Sequence, residues 1–557
     1  MKFHFAIFSS CSCWSASFAF AFAPPLLGSK SLLLPVLGNH HHRLRSKTSN
    51  RITRAYHKET KLRVREPLSA FSINTSKQQS DAFNVNPQQE ENKKKNKKCI
   101  YLDYNGTTPI DKRVVDAMMP YFTDHFGNPS SAHFYGIIPK ESISKARASL
   151  LSLLHTDIDI PSNTFTDTST STSTLTDDEE EKLRVQQQQS NSIHEQNSII
   201  FTGCGTEADN LAIHLAIQSN LHIKTPHIIT SNVEHPAISQ YLQALTDDGK
   251  ISVTYVAVNE QGIVPAQAMI DAINSRPHPS DTVLVTLMLA NNESGALQPV
   301  KEVSAYCKER SILFHTDAAQ AVGKVSVSLD EHGIGDGVDM MTIVGHKFGA
   351  PKGVACLYVK PNCLTRGNRV EPRNYMLLGG GQEGGKRAGT ENVPYIVALG
   401  AAVDIILERD RYGSDLDLDL DLDLDLDLQW KKNAQWMETM RHRLKKNLID
   451  GLGEGIVRDN GPFFHRERLP NTLSVGFKAV EAGELLNQIQ MQVACSAGSA
   501  CHASGGELSS VLEAMAVPTE YARGTLRLST GPDTTEQEID DASAIIVKAV
   551  KTQLGMI

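Results

Sequence analysis

The sequence predicts an α/β protein: a large domain with a mostly parallel sheet flanked by helices, and a smaller α+β domain. Three observations carry this reading. Between about residues 198 and 400 the order strand, loop, helix repeats, the alternation expected of βα units. Within that stretch, short apolar runs such as Met340–Val344 end abruptly in polar residues, as strands covered on both faces do. Towards the C-terminus strands and helices mix without the βα rhythm.

The 557 residues allow two or three domains, and 40% hydrophobic with 21% charged residues is ordinary for a globular chain. A net charge of -8 gives no electrostatic case for nucleic-acid binding. The nine cysteines (11, 13, 99, 204, 307, 356, 363, 495 and 501) contain no C-x-x-C pair, so neither a disulfide scaffold nor a zinc site is expected. Beyond the N-terminal segment no apolar run reaches the roughly 18 residues of a membrane span.

Residues 1–23 start with Lys2 and stay apolar and small to Ala23, like a signal segment with A-x-A cleavage options, Ala19–Ala21 among them. From Pro24 to Lys58 there is no acidic residue, but Arg43, Arg45, Lys47, Arg51 and Arg54 occur among serines, a transit-peptide composition. In series the two resemble the two-part plastid presequences of algae with secondary plastids. A single mitochondrial presequence is the alternative. Residues 59–98 are polar, end in a lysine run and read as a linker.

The folded part is expected from about residue 99, with 99–116 and 405–557 forming the small domain and 117–404 the large one. Ile100–Leu102 is a short strand entering a turn, and helices follow at 111–121 and from Pro139 to Leu154. Residues 156–196 are Ser/Thr/Asp, Glu and Gln tracts, and 414–428 carry an Asp-Leu repeat; both read as insertions that cannot bury a core. Strands are expected at 198–201, 226–230, 251–257, 282–287, 312–316, 340–344 and 354–359, and later at 471–476 and 525–529. Helices are expected at 206–219, 235–246, 264–274 and 299–310, then at 394–407, 430–448, 481–491, 507–515 and 534–554.

Ligands of α/β sheets gather beyond the carboxyl ends of the strands. Asp317, Gln320 and Lys347 follow two such ends. A lysine for a Schiff base and a carboxylate for a pyridinium nitrogen together suit pyridoxal 5'-phosphate (PLP). Thr202–Glu207 follows a strand and opens a helix, and its Gly203 and Gly205 leave room for a phosphate at the helix N-terminus. His235 and Asn292 fall at further strand ends. The spacing Gly203-x-Gly205-x-x-Ala208, with Glu234 after the next strand, also matches a dinucleotide fingerprint, so a nucleotide-dependent oxidoreductase stands as the rival.

Eight blocks carry a resemblance: Tyr101–Pro109, Phe126–Ser131, Phe201–Glu207, Asn291–Glu293, His315–Gln320, Gly345–Lys347, Arg387–Thr390 and Ser499–Cys501. In order and spacing the chain resembles a PLP-dependent cysteine desulfurase of the class V aminotransferase superfamily, close to selenocysteine lyase. The resemblance implies the type I PLP-transferase fold and a set of roles. Lys347 would hold PLP as a Schiff base, Asp317 would keep its pyridine nitrogen protonated, and Gln320 would contact its phenolic oxygen. His235 would stack on the ring and move protons, and Asn292 would line it. Gly205, Thr206 and His346 would bind the phosphate, with Thr390 reaching the phosphate of a second subunit in a homodimer. Asn128 and Arg527 would bind substrate, Arg527 through the carboxylate. Cys501, in a small, Gly-rich run, would be the nucleophile; a structural thiol or a redox pair with Cys495 is the plainer reading.

The implied reaction converts L-cysteine to L-alanine and leaves its sulfur as a persulfide on Cys501, for an iron–sulfur scaffold or other sulfur carrier. No metal, nucleic acid or membrane is implied. Val344 stands where many relatives carry Ser, and Pro532-Asp533 where an Arg is common. Thr342–Phe348 and Asn291–Gly295 lean towards selenocysteine lyase. An inactive homologue acting as a binding partner in a sulfur-transfer complex is the alternative of another class.

Overall fold

The structure, a computed structural model, describes residues 99–155, 197–275, 279–372, 376–408, 428–498 and 508–557. The presequence and linker, residues 156–196 and 414–427 of the two low-complexity insertions, and Cys501 lie outside these residues.

In chain order the elements are β1 (Ile100–Tyr101), α1 (Lys112–Met118), α2 (Pro120–Thr123), α3 (Phe134–Leu154), β2 (Ile199–Thr202), α4 (Gly205–Gln218), β3 (His227–Ser231), α5 (Pro236–Asp247), β4 (Ser252–Val256) and α6 (Ala266–Asn274). They continue with β5 (Thr282–Thr286), α7 (Val300–Glu309), β6 (Leu313–Asp317), β7 (Met340–Val344), β8 (Ala355–Val359) and α8 (Val393–Ile406). The C-terminal part holds α9 (Gln429–Leu452), β9 (Val457–Asp459), β10 (Thr472–Phe477), α10 (Ala482–Ile489), β11 (Val493–Ala494), β12 (Ser496–Ala497), α11 (Ser510–Ala514), α12 (Thr519–Ala522), β13 (Thr525–Ser529) and α13 (Glu536–Gln553).

Seven strands form the large sheet in the order β2-β8-β7-β6-β5-β3-β4. Only β8 runs antiparallel, against β7 on one side and β2 on the other. Every residue of β5, β6, β7 and β8 is buried. That double burial is why these strands read as continuous apolar runs rather than alternating ones. Successive residues feed opposite faces: Phe314, Met341 and Ile343 join one core, Leu313 and Met340 the other. The smaller layer is an antiparallel sheet, β12-β13-β10-β9, with a parallel pair β1-β11. Its core takes Leu444 and Leu448 from α9 and Ile546 and Val550 from α13.

Three expectations shift. The helix expected over 111–121 ends at Met118 and restarts at Pro120, which takes the first position of α2, where a missing N–H costs nothing. Helix α3 starts at Phe134, with Pro139 inside it. The proline deprives the Tyr135 carbonyl of its helical donor, and Gly127 packs so near that oxygen that a Cβ would lie 1.9 Å from it. The expected domain boundary at residue 116 cuts α1, whose buried Val114 and Met118 belong to a core of the large sheet, while Ile100 and Leu102 belong to the small one. The chain therefore crosses between the layers ahead of α1. Val511, Leu512 and Met515, expected in the small domain, also pack into the large core.

Candidate active site

β6 ends in Asp317, and β7 runs directly into a single 3-10 turn, Gly345–Lys347. β2 leads through Cys204 into α4, whose first turn is Gly205–Thr206–Glu207. These ends open on a cavity of about 410 Å³. Gly205, Thr206, His235, Asn292 and Asp317 line it from the large sheet, joined by Gln320, His346 and Lys347. From the smaller layer β13 contributes Arg527.

Lys347 Nζ donates to the carbonyls of Asn105 (2.8 Å) and Gly106 (3.0 Å). Burial, and then the Arg527 guanidinium, push its amine down to about 8. A lysine so placed reaches its nucleophilic free-base form near neutral pH. Asp317 Oδ1 accepts the Ala319 N–H at 2.8 Å. Burial raises its carboxyl, against the pull of that N–H, His235 and Lys347. Gln320 Nε2 donates to the Asn105 carbonyl (3.1 Å), while its buried Oε1 has no partner among the described residues. His235 caps α5 by accepting the Ala237 N–H on Nδ1 at 3.1 Å; Nε2 therefore carries the proton of the neutral ring. It sits four residues beyond β3, not at the strand end itself. Burial lowers its pKa, against the attraction of Asp317. His346 is likewise held neutral, pushed down to about 4 by burial and by the neighbouring Lys347.

Arg527 is fixed by Asp103 (Nη2 to Oδ1, 2.9 Å) and the Asn292 carbonyl (3.2 Å), and its buried Nε has no partner among the described residues. Such a fork in a cavity wall is suited to a carboxylate. The start of α4 supplies backbone N–H groups with no intrahelical acceptor, and Thr206 stands there exposed. A Cβ on Gly205 would lie 2.6 Å from Val344 Cγ2, so the valine noted as a departure occupies the space that the glycine leaves. Pro532 and Asp533, the other departure, are exposed. A lysine, a facing carboxylate, an anion cradle and unpartnered buried polar atoms fit PLP and an amino acid.

Two expected residues stand elsewhere. Asn128 is exposed, its Oδ1 accepting the Ser130 N–H at 2.9 Å, and it does not line this cavity. Thr390 is exposed and also outside it. Among the described cysteines, Cys307, Cys356 and Cys363 are buried with their thiols pushed up by burial. Cys495 is pushed up to about 12 for the same reason, which leaves it a poor thiolate. Cys204 lines the cavity.

The rival dinucleotide site fails on geometry. β2 is the edge strand of the sheet, whereas that fingerprint belongs to the first strand of a central βαβ unit. Glu234 is turned inward: both its oxygens accept the Met288 N–H at 3.1 Å, and Oε1 takes the Ser231 hydroxyl at 2.5 Å.

Two further residues that the sequence motifs leave without a role belong to the site: Asn105, whose carbonyl receives both Lys347 and Gln320, and Asp209. Asp209 lines the cavity, and burial and Asp317 raise its carboxyl. It stands 3.8 Å from His315 Nε2, which Thr342 also contacts at 3.1 Å. The signal for Asp209 was its place one turn into the helix behind the glycine-rich loop.

The family model for class-V aminotransferases matches residues 100–175 and 162–414. A cysteine desulfurase of Nostoc sp. is 36% identical over 453 residues, 81% of this chain and 93% of its own length. The cysteine desulfurase IscS of Clostridium botulinum is 34% identical over 460 residues, covering 82% of this chain and 96% of that protein. Among solved structures, a NifS-like protein matches with a TM-score of 0.60 at 27% identity, over 82% of this chain and all (100%) of its own. SspA in complex with cysteine matches with a TM-score of 0.56 at 27% identity, over 78% of this chain and 99% of its own. The chain belongs to the class-V aminotransferase family and, within it, to the PLP-dependent cysteine desulfurases.

Proposed function

We propose that this protein is a cysteine desulfurase, converting L-cysteine to L-alanine and keeping the sulfur as a persulfide on Cys501. The observation that carries the proposal is the meeting of Lys347, Asp317, Gln320, His235 and Arg527 around one cavity. PLP, when bound, supplies an electron sink for charge left on the substrate's α-carbon. Lys347 is the amine for the cofactor's aldehyde, and Asp317 the carboxylate for its ring nitrogen. Thr206, His346 and the α4 N-terminus would hold the phosphate. Arg527 orients the substrate by its carboxylate. Lys347 and His235, both near their neutral forms, move the α-proton. The Cys501 thiolate then attacks the substrate sulfur. An S–S bond forms, the C–S bond breaks with its electron pair on carbon, and carbon takes a proton as alanine leaves.

Finer readings follow as part of the proposal. A homodimer is supported by exposed Phe126, Phe134 and Tyr135, whose rings cluster, the Tyr135 centroid lying 5.5 Å from those of both Phe126 and Phe134, unlike singly scattered surface residues. Thr390, exposed and outside its own cavity, suits a role in the partner's site. The persulfide passes to an iron–sulfur scaffold or other sulfur acceptor, and the basic presequence directs the protein to the plastid, with the mitochondrion as the alternative. The test is alanine formation from cysteine and from selenocysteine, with and without a thiol reductant. Reductant-stimulated activity on cysteine supports desulfurase turnover. Activity on selenocysteine alone makes the protein a selenocysteine lyase. Activity on neither, with PLP bound, refutes the assignment.

A further inference from the structure

The turn Asn291–Ser294 faces two ways. Asn291 is fully buried and pins it: Oδ1 accepts the N–H groups of Glu293 and Ser294, both at 2.9 Å, and Nδ2 donates to the Val233 carbonyl at 3.1 Å. On one side the Asn292 carbonyl receives Arg527 in the cavity wall. On the other, Glu293 is 4% exposed, and its Oε2 accepts the Ser509 hydroxyl at 2.6 Å. Ser509 is itself the cap of α11, accepting the N–H groups of Val511 and Leu512. Gly498 meets the same place: a Cβ there would lie 2.9 Å from Ser509 Cβ and 3.3 Å from Glu293 Oε2. Gly498 and Ser509 therefore abut, with the Glu293 carboxylate against both. Between them in sequence lies Cys501.

We propose that Glu293 is a positioning residue for sulfur transfer, holding together the two ends of the segment that carries the nucleophile, one peptide from the residue that steadies Arg527. The proposal rests on Cys501 being that nucleophile. Cys501 is the third residue beyond Gly498, so chain length alone keeps their Cα atoms within roughly 11 Å. Where the tether starts bounds where the thiol can be. The step is sensitive to that point, because the thiolate must meet the substrate sulfur opposite the breaking C–S bond, and misplacement by about 1 Å can cost on the order of 100-fold. A buried glutamate serving only to steady the α11 cap, Ser509, would affect folding and every step alike. A positioning glutamate affects the transfer step alone.

The experiment uses the PLP-loaded full chain. Two quantities are read: the visible spectral change on adding cysteine, which reports substrate reaching the cofactor, and the single-turnover rate at which sulfur appears on Cys501, followed by alkylation and mass spectrometry. Glu293→Ala is expected to keep the spectral change and its cysteine concentration dependence, and to slow sulfur transfer about 10- to 100-fold. Glu293→Gln, which still offers Ser509 an acceptor, is expected to restore most of the rate. Gly498→Ala, whose added Cβ would crowd both Ser509 and the Glu293 carboxylate, is expected to slow the same step. Transfer at the wild-type rate in Glu293→Ala and in Gly498→Ala overturns the proposal, as does a parallel loss of the spectral change, or a Gln variant no better than Ala. Cys501→Ser is run beside them. If it still acquires a persulfide at the wild-type rate, the nucleophile assignment itself is wrong.

Discussion

Two regions of this molecule bury charge and treat it in opposite ways. In the smaller layer, Asp459 at the end of β9 takes Arg468 at 2.8 Å and Lys445 at 2.9 Å. Although burial works against its ionisation, those cations hold it down at about 2. Around the cavity the shifts run the other way. Burial, and then Arg527, push Lys347 down to about 8, and burial raises Asp209 and Asp317. Pairing fixes a charge and makes it structural. Unpaired burial leaves a group close to changing its proton, which is what proton-transfer chemistry needs. Lys324 belongs to the second class: buried and, among the described residues, donating to the Gln320 carbonyl alone (3.1 Å), it is pushed down to about 7 by burial and by Lys347.

The comparison breaks most visibly at Lys347. Lys347→Ala should abolish alanine formation and the visible absorbance of bound PLP while leaving urea stability close to wild type; appreciable turnover would mean that another amine serves. Asp459→Asn should do the reverse. It leaves Arg468 buried without its carboxylate, which costs about 3 kcal/mol or more, measured by urea unfolding, with kcat unchanged. Its acid behaviour carries a sign. The folded pKa of Asp459 lies below the ordinary carboxylate value, so its stabilisation is present above about pH 4. It is lost as pH falls through about 2, and the gap between wild type and Asp459→Asn should close there. Arg527→Gln should raise the KM for cysteine by about 10- to 100-fold, the equivalent of roughly 1.5–3 kcal/mol for a charge-assisted bond, with a smaller change in kcat. The smallest effect sharpens the contrast. PLP added to the apoprotein should react faster as pH rises and level off above about 8, where Lys347 is free base. A profile still rising towards pH 10 would mean that Lys347 is not desolvated in solution.

The sheet was legible because its strands are buried on both faces and announce themselves as apolar runs of the right length; most fall within a residue or two of the expected bounds. The cavity was legible because Asp317 and Lys347 follow the ends of adjacent strands, which the parallel order must bring together. What stayed hidden depends on contacts far apart in sequence. The Asn105 carbonyl becomes a partner of Lys347 across 242 residues, and no side-chain pattern marks a carbonyl. Asp209 and Glu234 gain their character from burial, which a carboxylate in a sequence does not display. The early start of α3 was missed because Pro139 resembles a first-turn proline, and the helix tolerates it where Gly127 can approach the freed carbonyl.

Delivery of sulfur from cysteine to Cys501 by this cavity is tested by mixing PLP-loaded protein with cysteine in the absence of reductant, measuring the alanine released and locating the added sulfur by peptide mass spectrometry. One alanine is expected for each sulfur gained, with that sulfur on Cys501. Alanine without sulfur on Cys501, or sulfur found first on Cys204 or Cys495, would contradict it.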